Sequence, residues 1–150
     1  MMQPLLNRTN KATAFQDSML SLVRALGLHR PDRTPCGQPV AVAEAHALLE
    51  LSREPGLSQN GLAVRLGLEK STVSRIVSQL ERRGWVKRKR DIADTRIVHV
   101  HLSAQGQAAT AKLATARSAM FSKIFAAIPR SQRAQTLATL ETLIGVIRET

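Results

Sequence analysis

The sequence predicts a mainly α fold with a small β-hairpin wing, in which a helix-turn-helix lobe is flanked along the chain by further helices. Three observations carry that prediction. In Glu69–Arg83 the apolar residues Val73, Ile76, Val77 and Leu80 fall on one stripe of an α-helix. Just before it, Ser58–Leu66 reads as a short capped helix that stops at Gly67. Just after it, Ile97–Leu102 alternates as a strand does, behind a short extended run at Trp85–Arg90. Two strands behind a helix-turn-helix make a winged helix-turn-helix lobe.

Taken in order, Asn10–Leu28 is expected to form the first helix, with Phe15, Met19, Leu22, Val23 and Leu26 on one face and Gly27 at its end. His29–Pro39 is a connector, because Pro31, Pro35, Gly37 and Pro39 exclude regular structure. Val40–Arg53 is a second helix, with Val42, Ala45, Leu48 and Leu49 inward and Pro55-Gly56 beyond its end. Ser58 then caps the first helix of the motif. Ala63 is small enough for two helices to approach, Gly67 makes the turn, and Val73 fills the angle between them.

Gly84 ends the second helix of the motif, and Asp91–Asp94 turns the chain between the strands. Val98, Val100 and Leu102 share one strand face, while Ile97, His99 and His101 share the other, which is expected to be exposed. Trp85 is read as core at the base of the wing. Ser103 caps a long helix to about Ala127, whose apolar set is Leu113, Met120, Phe121, Ile124 and Phe125. Pro129 breaks it, and Ser131 is expected to cap a last helix through about Arg148. The chain, residues 1–150, is thus one domain, with its lobe at about 40–102 and flanking helices at about 10–28 and 103–148.

Charge supports a polyanion as partner. The 150-residue chain carries 22 Lys+Arg against 11 Asp+Glu, a net charge of +11. Residues 65–96 alone hold ten basic and four acidic side chains, so the charge is densest where the motif lies. No apolar run approaches the roughly 18–20 residues that cross a bilayer, and Met1–Thr9 lacks the apolar stretch of a secretory signal. With a single cysteine, a cytoplasmic location is the default. No membrane partner, cofactor or catalytic residue is expected. The chain has no Tyr, no G-x-S-x-G elbow, and no carboxylates paired for acid–base work.

Opposite the apolar stripe of Glu69–Arg83 stand Ser71, Arg75, Ser78 and Arg82, with Thr72, Ser74 and Gln79 on the flanks. Hydroxyls, an amide and guanidinium groups suit phosphates and base edges, although an exposed polar helix face is more often merely solvated. The residues expected to meet double-stranded DNA are Lys70, Ser71, Thr72, Ser74, Arg75 and Gln79 on this helix. Ser58 and Gln59, near an earlier helix N-terminus, are expected at phosphates, and Lys89 and Arg90 come from the basic run Lys87–Arg90. Arg75 suits guanine, whose O6 and N7 accept a two-pronged guanidinium.

Helices at opposite chain ends cannot bury wide apolar stripes on a lobe that already has its own core. They are expected to pack together and against the same helices of a second chain, as a homodimer on a pseudo-palindromic operator.

The sequence also resembles the MarR-type transcriptional regulators. The resemblance rests on Leu80 with Gly84-Trp85-Val86-Lys87-Arg88, on Asp94-Thr95-Arg96, and on Val100-His101-Leu102-Ser103 with Gly106. It is specific over about Leu57–Gly106, with Ser103 where Thr is commoner, and elsewhere extends only to helix order and length. It implies that Arg96 enters the minor groove and that Asp94 supports the wing, an assignment consistent with the negative potential of a narrow groove. It also implies a helical dimerisation region and a repressor released from DNA by a small-molecule effector. Phe15, Met19 and His46 are its expected lining, although core packing explains each as well.

Some relatives sense peroxide through cysteine, but Cys36 lies in the connector with no second cysteine in the chain, and is read as an inert thiol. His29, Cys36, Glu44 and His46 match no compact ligand spacing, so no metal is expected. Two alternatives stay open: a nucleic-acid binder without sequence preference, and a winged-helix module that meets an acidic protein.

Overall fold

The computed structural model describes residues 3–150, with side chains from Asn10 onward. Its elements are α1 (Gln3–Leu26), α2 (Val42–Arg53), α3 (Gln59–Leu66), α4 (Lys70–Arg82), β1 (Val86–Arg90), β2 (Val98–Leu102), α5 (Ala104–Ala127) and α6 (Arg130–Glu149). These are six helices and a two-stranded antiparallel hairpin, paired from Val86 with Leu102 to Arg90 with Val98.

The turn between α3 and α4 forms as its residues dictate. Ser58 caps α3 by accepting a hydrogen bond from the Gly61 N–H at 3.0 Å. Gly67 takes the left-handed conformation, φ +62°, that lets the chain leave α3 without a Cβ clash. Ala63 and Val73 are both buried where the two helices meet. Leu48 and Leu51 of α2, Leu62 of α3, Val77 and Leu80 of α4, and Val86 and Val100 of the hairpin complete one core, which Leu113 of α5 closes.

A close approach fixes α5 against the wing. A Cβ on Gly106 would stand 1.9 Å from the Trp85 carbonyl oxygen, so only glycine fits there. The same carbonyl accepts from the Ser103 N–H at 2.9 Å, and the Ser103 hydroxyl caps α5 at the Gly106 N–H. Trp85 is half-buried against the core, under the Arg83 guanidinium, 4.9 Å from its ring centre. Arg83 also pairs with the buried carboxylate of Glu44 at 3.4 Å, which ties the end of α4 to the start of α2.

Four local expectations need correction. The first helix begins at Gln3 rather than Asn10, since nothing interrupts the run and Pro4 falls in the first turn, where proline is tolerated. It ends at Leu26 because Gly27, at φ +74°, reverses the chain. The last helix is entered from Pro129, not capped by Ser131, because the extended conformation of Pro129 (φ −52°, ψ 136°) already starts it. Finally, His99 and His101 are half-buried rather than exposed. The segment before α3 lies against that side of β2: the Val100 N–H donates to the Leu57 carbonyl at 3.0 Å, and Ser58 bridges to His99.

Among the described residues, the other end of the molecule shows no core of its own. In α5 the buried residues are Gly106, Thr110 and Leu113, all in its first half, and α6 buries none. No described side chain of α1 is buried. Phe15, Leu22 and Val23 of α1, Phe121, Ile124 and Phe125 of α5, and Leu137, Leu140 and Ile144 of α6 are all exposed. Among the described residues, no helix is long and apolar enough to cross a membrane.

Candidate nucleic-acid interface

Packing α4 by its apolar stripe leaves a polar face outward. Lys70, Ser71, Arg75 and Gln79 are exposed, and Thr72 and Ser74 are half-buried at the edges of the stripe. Lys70, Arg75 and Arg82, with Lys87, Lys89 and Arg90 of the wing, make no ion pair among the described residues. Their charge is therefore not paired among the described residues.

Arg88 is the residue on which sequence reasoning had least to say, and it joins three elements. Its Nη2 donates to the Ser74 carbonyl at 2.8 Å and to the Ser78 hydroxyl at 3.0 Å. Its Nη1 meets Glu81 Oε2 at 2.9 Å, and its Nε meets Gln59 Oε1 at 3.2 Å. One planar guanidinium thus ties β1 to α4 and α3. A signal was available: strand alternation places Arg88 on the side of buried Val86, while Lys87 and Lys89 point away. Ser78, opposite the apolar stripe by helical spacing, is engaged by this tie.

The two candidates at the start of α3 retain donors. The Ser58 oxygen is occupied by the Gly61 N–H and the Gln59 oxygen by Arg88, which leaves the hydroxyl hydrogen of one and the amide hydrogens of the other for an anion.

The wing turn is built by two carboxylates. Asp91 Oδ1 accepts from the N–H groups of Ala93 at 2.9 Å and Asp94 at 3.0 Å, and its Oδ2 meets His99 Nε2 at 2.9 Å. These bonds, first the one from Asp94 N–H, hold the Asp91 carboxyl below the ordinary aspartate value. His99 Nδ1 stands 2.9 Å from the Gly56 carbonyl. With acceptors at both nitrogens, Asp91 foremost, the histidine pKa is raised.

Asp94 grips Arg96 with both oxygens, to Nε and Nη2, each at 3.0 Å, and also accepts the Arg96 N–H at 3.1 Å. The Arg96 side chain bonds hold the Asp94 carboxyl down, and Asp94 in turn raises Arg96. The Arg96 side chain remains 89% exposed at the wing tip. It is aimed, but not withdrawn from a ligand.

The expected effector residues do not converge. A cavity of about 170 Å³ lies among the end of α1, the connector, α2 and α5, lined by His46, Cys36, Leu113, Arg117, Met120 and Phe121 among others. Of the three candidates His46 reaches it, whereas Phe15 is 52% exposed further back on α1 and Met19 is half-buried there, outside its lining. The Cys36 sulfur lies 3.2 Å from the Thr34 hydroxyl. Among the described residues no group of His, Cys, Asp or Glu is placed to hold a metal ion.

Comparison with known proteins agrees with this geometry. Residues 39–97 match the model of the MarR family. A curated relative, the putative transcriptional regulatory protein for the hcr operon of Thauera aromatica, is 28% identical over 100 residues. That alignment takes in 67% of this chain and 60% of the relative, so the chain spans less than two thirds of its relative's length. Among solved structures, FabT of Streptococcus pneumoniae in complex with DNA superposes with a TM-score of 0.69 at 22% identity, over 96% of this chain and 98% of that one. The PcaV regulator of Streptomyces coelicolor with its natural ligand superposes at 0.64 and 22% identity, over 96% and 93%.

Proposed function

From its match to the MarR family over residues 39–97, and its winged-helix fold, we infer that this chain is a sequence-specific DNA-binding transcriptional regulator. The observation that carries the reading is the outward face of α4, with Arg75 and Gln79 exposed, beside a wing whose Arg96 is oriented by Asp94 and still open to solvent. In this reading α4 enters the major groove, Arg96 reaches the adjacent minor groove, and Lys89 and Arg90 meet phosphates. Ser58, Gln59, Lys70, Ser71, Thr72 and Ser74 supply the remaining donors.

The chain acts as a homodimeric repressor in this proposal. The apolar sides of α1, α6 and the second half of α5 support it, because they remain exposed among the described residues. A two-fold pair sets two copies of α4 on a pseudo-palindromic operator. A small molecule bound in the cavity beside His46 shifts the lobes and releases the DNA. PcaV, with its natural ligand, is a precedent of the same fold.

Fluorescence anisotropy with the protein's own upstream DNA and a scrambled duplex, across a salt series, tests the DNA reading. Preference for the upstream DNA of at least ~100-fold supports it. Equal affinity for both duplexes at every salt concentration rejects autoregulatory specificity. Light scattering of wild type and Leu140→Glu tests the assembly: a dimer that the substitution splits supports it, and a wild-type monomer rejects it.

A further inference from the structure

The wing turn has its polarity reversed. A surface turn ordinarily gives its carboxylates to water and keeps large apolar side chains inside. Between β1 and β2 the opposite holds. Asp91 and Asp94 are half-buried and spend their oxygens within the turn and on β2: Asp91 on the Ala93 and Asp94 N–H groups and on His99, Asp94 on Arg96. Ile92, between them, is 102% exposed, more open than any other large hydrophobic side chain among the described residues.

This exposure is held in place by the turn itself. The Asp91 N–H donates to the Ile97 carbonyl at 2.9 Å, and the Ile97 N–H donates to the Asp94 carbonyl at 3.0 Å. With the Asp91 carboxylate bound to two further N–H groups, the backbone on both sides of Ile92 is tied down, so little is left to order on binding. A lone apolar side chain on a surface ordinarily needs no partner. Ile92 differs in its surroundings. Arg90, two residues before it, and Arg96, four after it, are both exposed, while the two acids of the turn face inward. The tip is therefore an apolar point among cations. The DNA minor groove has the complementary layout, with phosphates along its edges and the C–H surface of deoxyribose on its walls. An acidic protein would match the cations, but a single turn offers far less area than a stable protein interface requires.

We propose that Ile92 is a DNA-contact residue, which packs against the deoxyribose walls of the minor groove beside Arg96. The proposal rests on the DNA-binding reading above and adds an apolar contact to its polar ones. Burying aliphatic surface releases no counter-ions, so its share of the affinity does not follow salt, whereas that of Arg96 weakens as salt rises. The sugars are the same in every sequence, so the contact adds affinity on any duplex the wing enters.

Fluorescence anisotropy of the full chain on its own upstream DNA and on a scrambled duplex, across a salt series, tests the contact with Ile92→Ala, Ile92→Ser, Ile92→Leu and Arg96→Ala. Ile92→Ala and Ile92→Ser are expected to bind ~3- to 10-fold more weakly at every salt concentration, with the wild-type salt slope. Ile92→Leu keeps affinity close to wild type, and Arg96→Ala makes the slope shallower. Thermal midpoints of the Ile92 variants stay at the wild-type value, because the side chain is open to solvent. Three results overturn the proposal: wild-type affinity in both Ile92→Ala and Ile92→Ser, a loss that comes with the shallower slope of Arg96→Ala, or no DNA binding by the wild type. Equal wild-type affinity for both duplexes rejects sequence specificity alone, since the Ile92 variants still report on the contact.

Discussion

His99 and Asp91 are joined at 2.9 Å through Nε2 and Oδ2 across the base of the wing turn. The other ring nitrogen of His99 faces the Gly56 carbonyl, also at 2.9 Å. A neutral imidazole has one N–H and satisfies one of these acceptors, whereas the imidazolium satisfies both. A proton on His99 therefore links the loop before α3 to the turn that presents Asp94 and Arg96.

This linkage predicts a pH window. The raised pKa of His99 means that its contribution to stability is complete below its ordinary value of 6.5 and is lost as pH rises through the higher folded value. Asp91, held below 3.8, contributes fully above that value and loses its contribution as pH falls through the lowered one. The difference in thermal midpoint between wild type and His99→Gln should be widest at about pH 5–6 and narrow by about pH 8.5. A difference independent of pH over that range would reject the linkage.

Arg88→Ala should destabilise the lobe by about 1–3 kcal/mol in urea denaturation, because it leaves the Glu81 carboxylate and the Ser78 hydroxyl without their donor. Arg88→Lys should recover only part of this, since an ammonium cannot reach the same acceptors in one plane. Full recovery by lysine would show that charge alone is needed.

Gly106→Ala should cost about 1–3 kcal/mol or more, as the new Cβ must displace the Trp85 backbone. The same denaturation measurement checks it, and an unchanged midpoint would mean that α5 shifts freely against the wing.

On the proposed DNA face, Arg75→Ala should weaken operator binding by about 1–3 kcal/mol and relax preference at one base pair. Asp94→Ala should weaken it by releasing Arg96, with the fold retained by circular dichroism. Anisotropy against single-base operator variants reads both effects. Wild-type affinity in Asp94→Ala would show that Arg96 needs no orientation.

Much of this arrangement is legible residue by residue. The stripe Val73, Ile76, Val77 and Leu80 is buried as its spacing requires, and Ser58 and Gly67 start and stop α3. Such features depend on neighbours within one or two helical turns, so periodicity and capping reveal them. The apolar excess on α1, α5 and α6 is equally legible, because a stripe is a property of one helix.

The sequence by itself determined the six helices, the hairpin and the polar face of α4. Strand alternation placed Arg88 on the inner side of the wing, but only tertiary structure decided what it and His99 meet there, since Arg88 reaches Ser74 across 14 residues and His99 reaches Gly56 across 43. Local pattern determines which face a side chain takes, but only the packing of distant segments determines what that face meets.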